Sequence, residues 1–242
     1  MSLCIVIPCY NEADRLDLGR YRHFISQQAE VQLLLVDDGS KDDTLSVLQQ
    51  LAQAFPASVS VLGLQKNGGK AAAVAAGMAQ ALKEKHLQKM AYLDADLSTS
   101  LEECSALANK IDDQTAFVFG SRILKTDNRI ERKWYRFLIG RVVATAISKM
   151  LRLHVYDTQC GCKIIRRDLV TTAFTDAFSS RWLFDVEIFC RLINRYGREK
   201  VIAFSQEVPL NAWIDTEDSR VKFSYAFGLW IDLWTIYRRY RP

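Results

Sequence analysis

The chain has 242 residues, 49% of them hydrophobic, enough to fill the core of one large α/β domain. Its net charge of +4 is modest but uneven: residues 1–120 carry −5, residues 121–152 carry +7, and residues 153–242 carry +2. The basic segment suits phosphate or anionic lipid. No nucleic-acid-binding motif accompanies it, so nucleic acid is not an expected partner.

Short β-rich runs alternate with helical patterns through the first half. Residues 3–7, 31–36, 59–64, 90–93 and 116–119 are predicted strands, and 12–28, 41–54, 70–86 and 100–112 predicted helices. The strands are near-continuous apolar runs, which argues for a mostly parallel, doubly wound sheet covered on both faces. After residue 121 the pattern changes. A long apolar helix with spaced basic residues is predicted over 133–151, followed by a mixed region and a helix over 184–196. Two short strands near 200–204 and 207–211 come next, then an aromatic-rich helical tail over 222–240.

The six cysteines form no Cys-x-x-Cys pair and read as reduced, structural residues of a cytosolic protein. The chain opens Met-Ser-Leu-Cys-Ile-Val without a basic n-region, so no signal peptide is expected. Its longest charge-free stretch, 44–65, holds Pro56 and four glutamines and does not read as a membrane span. Membrane contact is therefore expected to be peripheral, at the inner face.

Four strand ends carry the polar residues that matter. The first is followed by Pro8-Cys9-Tyr10-Asn11-Glu12, in which Pro8 stops the ladder, Tyr10 can stack on a base and Glu12 can fix the turn; an ordinary β-to-α loop would also account for them. The second ends in Asp37-Asp38-Gly39-Ser40, where one acid can accept the N3–H of a uracil and Ser40 can cap the next helix. The third leads into Asn67-Gly68-Gly69-Lys70, a turn that exposes backbone N–H groups beside a cation, without P-loop spacing. The fourth delivers Asp94-Ala95-Asp96, two carboxylates at i and i+2 that suit a hard divalent cation gripping a diphosphate. In an open α/β sheet all four loops can face one crevice.

These segments, with Gly120-Ser121-Arg122, resemble family 2 glycosyltransferases of the GT-A fold. Asp157-Thr-Gln-Cys-Gly-Cys-Lys163, Arg181-Trp-Leu-Phe-Asp185-Val-Glu187 and Trp213-Ile-Asp-Thr-Glu-Asp-Ser219-Arg220 are similar to the dolichyl-phosphate glucosyltransferase branch. The sequence departs from the family pattern at Gly68, where arginine is usual, at Ala71 and Asp218, where glycine is, and at Arg220, where lysine is. The resemblance implies a single GT-A (Rossmann-like) domain, with a nucleotide-sugar half over 1–120 and an acceptor half over 121–242 bearing interfacial helices. It implies inverting transfer of a hexose, glucose first, from a UDP-sugar to a polyprenyl (dolichyl or undecaprenyl) phosphate, with Mg²⁺ or Mn²⁺ on Asp94 and Asp96. Pro8, Tyr10, Glu12, Asp37, Asp38, Asn67 and Lys70 would hold the nucleotide, Asp38 before Asp37. Arg122 and Arg136 match the positions that hold the acceptor phosphate, and their planar forks suit that task. Lys163, Arg181, Asp185, Ser219 and Arg220 fall in the branch motifs on the acceptor side. Arg181 and Asp185 could also form an i,i+4 pair if one helix spans both. A transferase for a soluble saccharide would instead need a general base, with Asp185 the first candidate, and a sugar-nucleotide-binding protein would need no turnover. The tail fits an interfacial helix or one packed on the core. The oligomeric state is left open.

Overall fold

The computed structural model describes residues 2–123, 129–131, 134–214 and 225–241. The first half alternates as expected: β1 (Ser2–Cys9), α1 (Leu18–Gln27), β2 (Gln32–Asp37), α2 (Thr44–Ala54), β3 (Val59–Gly63), α3 (Lys70–Ala81), β4 (Leu87–Tyr92), α4 (Leu101–Ala108) and β5 (Phe117–Ser121). Then come β6 (Arg129–Glu131), α5 (Trp134–Leu151), β7 (Lys163–Arg166), α6 (Arg167–Phe174), α7 (Phe184–Tyr196), α8 (Arg198–Phe204), β8 (Ser205–Pro209), β9 (Ala212–Ile214) and α9 (Tyr225–Tyr240).

Seven strands form one sheet in the order β3-β2-β1-β4-β7-β5-β8. All neighbours pair in parallel except β7, which runs antiparallel to both β4 and β5. From β1 the chain builds outward to β3, then returns to place β4 on the other side. That reversal is the topological switch point, where open α/β sheets bind ligands beyond their strand C-termini.

Side chains on a strand alternate between faces, so each apolar run feeds two cores. In β1, Leu3, Ile5, Ile7 and Cys9 join the core under α1, α2 and α4, while Cys4 and Val6 join the core under α3, α6 and α7. The alanine-rich composition of α3 follows from its close approach to the sheet. A Cβ at Gly77 would stand 2.3 Å from Val6 Cγ1 and 2.9 Å from Val36 Cγ2. All six cysteines are free and buried, and burial pushes the Cys160 thiol up to about 12.

Several local expectations are corrected. The helix predicted from residue 12 begins at Leu18, because Asp17 caps it by accepting the Arg20 N–H. Before it, Arg15 and Leu16 donate back to Glu12 O as turns. Ser40 does not cap α2, whose N-cap is Asp43; its hydroxyl accepts the Asn11 N–H instead. Pro8 ends pairing only with β4, since β1 stays paired to β2 through Cys9 and Asp37. The strand predicted near 200–204 is helix α8. Its apolar residues are spaced i to i+3, with Val201 buried and Phe204 packed edge-on against Tyr196, while Ile202 is exposed. The mixed region holds β7 and α6, which local pattern left unassigned.

Candidate active site

Asp94 and Asp96 leave β4 at the switch point in a tight turn. Leu97 N–H donates to Asp94 O, and Ser98 N–H donates to Asp96 Oδ1 at 3.0 Å. Leu97 has φ +50°, a left-handed conformation rare for a bulky residue and typical of functional turns. From below, Tyr21 OH donates to Ala95 O.

Two further elements close on this pair. Lys70, first residue of α3, forms an ion pair with Asp94 Oδ1. Burial favours its neutral form, but Asp94, Asp185 and Asp96 outweigh that and hold its pKa above the usual lysine range. On the other side, Gly161 lies against Asp94: a Cβ there would stand 2.0 Å from Asp94 Oδ2. Sequence reading missed Gly161, although the small residue between Cys160 and Cys162 was its signal.

The Gly-Gly turn is held from within the protein. Asp38 accepts the N–H groups of Gly68 and Gly69, each at 2.8 Å, so both carboxylate oxygens are occupied in shaping it. Asp37 is buried and makes longer bonds, 3.3 and 3.4 Å, from the Ser40 N–H. Gly69 has φ +87°, which only glycine adopts easily, and the Arg181 side chain lies on it. Asn67 is exposed at the mouth of this turn.

The loop after β1 is stapled to the loop after β2. Asn11, at φ +48°, accepts the Lys41 N–H with its side chain, and Glu12 N–H donates to Thr44 Oγ1. Asn11 and Thr44 were not singled out in the sequence, although asparagine is one of the few residues that tolerate this conformation. Tyr10 is half-buried beside them, and Glu12 lies 3.6 Å from Arg15 Nε.

The predicted acceptor residues divide. Arg122 is not a free arginine: Nε and Nη2 donate to Asp157 at 2.6 and 2.9 Å, and its guanidinium stacks 5.3 Å from the Trp213 ring centroid. Glu207 in turn accepts the N–H groups of Tyr156 and Asp157, each at 2.8 Å. Although burial opposes it, Arg122 holds the Asp157 carboxyl well below the usual range. The pair's stabilisation is thus present at neutral pH and is lost only in strong acid, as pH falls through that depressed pKa. Arg122→Ala would leave a buried carboxylate without its cation. It is expected to cost about 3 kcal/mol of stability, read as a lowered midpoint in urea unfolding.

Lys163 is wholly enclosed beneath the crevice floor. Its ammonium bonds Cys160 O at 2.6 Å and Asp185 at 2.5 Å, so it supports the loop containing Gly161 from below. Asp185, also buried, accepts from Tyr92 OH as well. Arg181 precedes the first turn of α7, so the two do not form the i,i+4 helical pair considered above. The backbone of Arg136 lies in α5, but its side chain falls outside the described part of the structure, and Ser219 and Arg220 lie outside the described residues.

Asp94 and Asp96 bring two carboxylates to one turn, and among the described residues no group of three or more His, Cys, Asp or Glu side chains is arranged to hold a metal ion. Such a pair fits a hard cation that takes its remaining ligands from substrate oxygens and water, as Mg²⁺ commonly does.

An open sheet with acids and a cation gathered at its switch point defines an α/β protein built to bind a ligand there. The model of the family "Glycosyl transferase family 2" matches residues 4–174, and the chain belongs to that family and is a glycosyltransferase. It is 30% identical over 98% of its length to the dolichyl-phosphate beta-glucosyltransferase ALG5D of Trichomonas vaginalis, spanning 73% of that protein. To the human dolichyl-phosphate beta-glucosyltransferase it is 29% identical, covering 96% of this chain and 72% of the relative. To the polyprenol monophosphomannose synthase of Mycolicibacterium smegmatis it is 30% identical, covering 78% and 71%. These likenesses place it in the branch that resembles dolichyl-phosphate glucosyltransferases. A glucosyl-3-phosphoglycerate synthase from Mycobacterium tuberculosis, solved with Mn²⁺, UDP-glucose and phosphoglyceric acid, superposes with a TM-score of 0.69 at 16% identity, over 97% of this chain and 79% of that one. The fold is that of the GT-A transferases.

Proposed function

We propose that this chain transfers glucose from UDP-glucose to a polyprenyl phosphate with inversion at the anomeric carbon. The observation that carries the choice of acceptor is the state of Asp185. A hydroxyl acceptor would need a general base there, and Asp185 is buried and tied to Lys163 and Tyr92. A phosphate acceptor is already an anion and attacks without one. The names of the relatives point to the same acceptor class.

Asp94 and Asp96 would hold Mg²⁺ or Mn²⁺, which when bound stabilises negative charge on a departing diphosphate. The solved synthase with Mn²⁺ and UDP-glucose supports that choice of metal and donor. Lys70 adds fixed positive charge at the same point, while the staple between Asn11 and Ser40 sets the loop of Tyr10 and Glu12 for the nucleotide. Asp37, whose bonds are the weaker ones, is better placed than Asp38 to receive the base. Arg122 is held rigidly by Asp157 and Trp213, and together with Arg136 it would aim the acceptor phosphate. Attack from the face opposite the leaving group gives a β-linked product. With UDP-[14C]glucose, polyprenyl phosphate and Mn²⁺, label is expected in a lipid-extractable, mild-acid-labile product. Label appearing only in water-soluble glycan would sink the lipid acceptor.

The lipid side has its own support. One face of α9 buries Leu233 and Ile236, while Trp230, Ile231, Trp234 and Tyr237 are each about half exposed. Arg238 stacks 4.8 Å from the Trp234 ring centroid. Exposed aromatics beside arginines suit the headgroup region of an anionic membrane. No helix among the described residues is long and apolar enough to cross a membrane. In liposome flotation with anionic lipid, the wild type is expected to float. A Trp230→Ser/Trp234→Ser variant is expected to lose at least about tenfold in partitioning; equal flotation would remove α9 from this role.

A further inference from the structure

Glu187, in the first turn of α7, is fully buried, yet both of its oxygens are used. Oε1 accepts the N–H groups of Ser179 and Ser180 at 2.8 and 2.9 Å, and Oε2 accepts Tyr240 OH at 3.0 Å. Ser180 Oγ donates to Asp232 Oδ2 at 2.6 Å and accepts the Leu183 N–H at 2.9 Å. Arg239 donates to Ser179 Oγ at 2.7 Å and to Ala177 O at 3.2 Å. Asp232, Arg239 and Tyr240 all belong to α9. The segment 177–183 is therefore held from below by α7 and from outside by α9.

Arg181 sits in the middle of that segment. It is exposed, and among the described residues no carboxylate pairs with it. Its stem lies on Gly69, with Cδ 3.2 Å from where a Cβ would stand, and Gly69 immediately precedes Lys70, the partner of Asp94. A buried carboxylate is costly unless its bonds are complete, and apolar packing would serve stability as well. Here the bonds of Glu187 converge on the residues that flank one solvent-facing arginine at the crevice.

We propose that Glu187 and α9 are positioning elements that hold Arg181 over the Gly-Gly turn as a phosphate-binding side chain, making the C-terminal helix a working part of the active site. The proposal rests on the reading of the crevice as a site for phosphorylated substrates. The phosphate is either the donor's diphosphate or the acceptor's single group, and the guanidinium chemistry is the same for both.

A double-mutant cycle between Arg181→Ala and Asp232→Ala tests it, read as UDP affinity with Mn²⁺ and as KM for polyprenyl phosphate. Arg181→Ala is expected to weaken one of the two by roughly tenfold to a hundredfold, and Asp232→Ala to weaken the same one by about fivefold. A donor-side role shows in UDP affinity, and an acceptor-side role in KM alone. Asp232→Asn, which keeps an acceptor oxygen for Ser180, is expected to stay within about threefold of wild type. The double variant should be no worse than Arg181→Ala alone, because Asp232 acts through Arg181. A purely structural Asp232 would instead give losses that add in full, and that result overturns the proposal, as does Arg181→Ala with both values unchanged. Arg239→Ala, at an exposed position, takes the place of Asp232→Ala if that variant does not fold. A wild type that binds no UDP removes the reading of the site itself; one that binds UDP while all variants match it in both values overturns this proposal and leaves that reading standing.

Discussion

Asp96→Ala is expected to abolish the dependence of UDP affinity on Mn²⁺ and to lower transfer by about a thousandfold, the scale of several kcal/mol of lost charge stabilisation. Asp96 is the cleaner of the two acids to remove. Asp94 is paired with Lys70, so its loss would also release a cation into the crevice. Removing Asp96 leaves that pair intact, while the Ser98 N–H loses its acceptor. Calorimetric titration of UDP with and without Mn²⁺, in wild type and variant, reads the effect directly. Wild-type affinity that ignores the metal would remove the metal from the proposed mechanism.

Gly161→Ala is expected to lower transfer by about a hundredfold while costing about 1–3 kcal/mol of stability. The added methyl would overlap Asp94, at 2.0 Å from Oδ2 and 2.5 Å from Cγ, so the carboxylate must turn away. The loop cannot easily retreat, because Cys160 O is held by Lys163 and Cys162 O by the Gly120 N–H. Gly197→Ala is the matched control. Its φ of +84° imposes backbone strain, but nothing lies within 4 Å of the added carbon, so stability should fall by about 1 kcal/mol with turnover unchanged. Gly161→Ala with wild-type kinetics would show that the close approach does not aim Asp94.

The sequence announced some of this architecture and was silent on the rest, for reasons that can be traced residue by residue. The alternation of apolar runs with helical patterns up to residue 121 was legible because burial on both faces leaves a strong local signal. Asp94, Lys70 and the acids after β2 were legible because polar residues stand out at the ends of such strands. The insertion of β7 between β4 and β5 was not, since a four-residue strand carries little pattern of its own. Val201 to Phe204 read as a strand because four apolar residues fit either period, and only packing against Tyr196 decides for a helix.

By itself, the sequence determined the parallel α/β half, the crevice at its switch point and the types of side chain delivered there. Tertiary structure alone decided which of those side chains are committed to one another. Arg122 and Asp157 are 35 positions apart and meet as a bidentate pair, so an arginine expected to be free for phosphate is anchored. Lys163 is enclosed under the floor with Asp185, Asp38 is engaged by the Gly-Gly turn, and Arg181 faces solvent. The tail, which fitted either packing or an interface, packs on the core through Leu233 and Ile236 and leaves Trp230, Ile231, Trp234 and Tyr237 exposed. The physical reason is common to all of these. Burial and periodicity are local properties of a chain, whereas the partner of a charge is set by which loops the sheet order brings together.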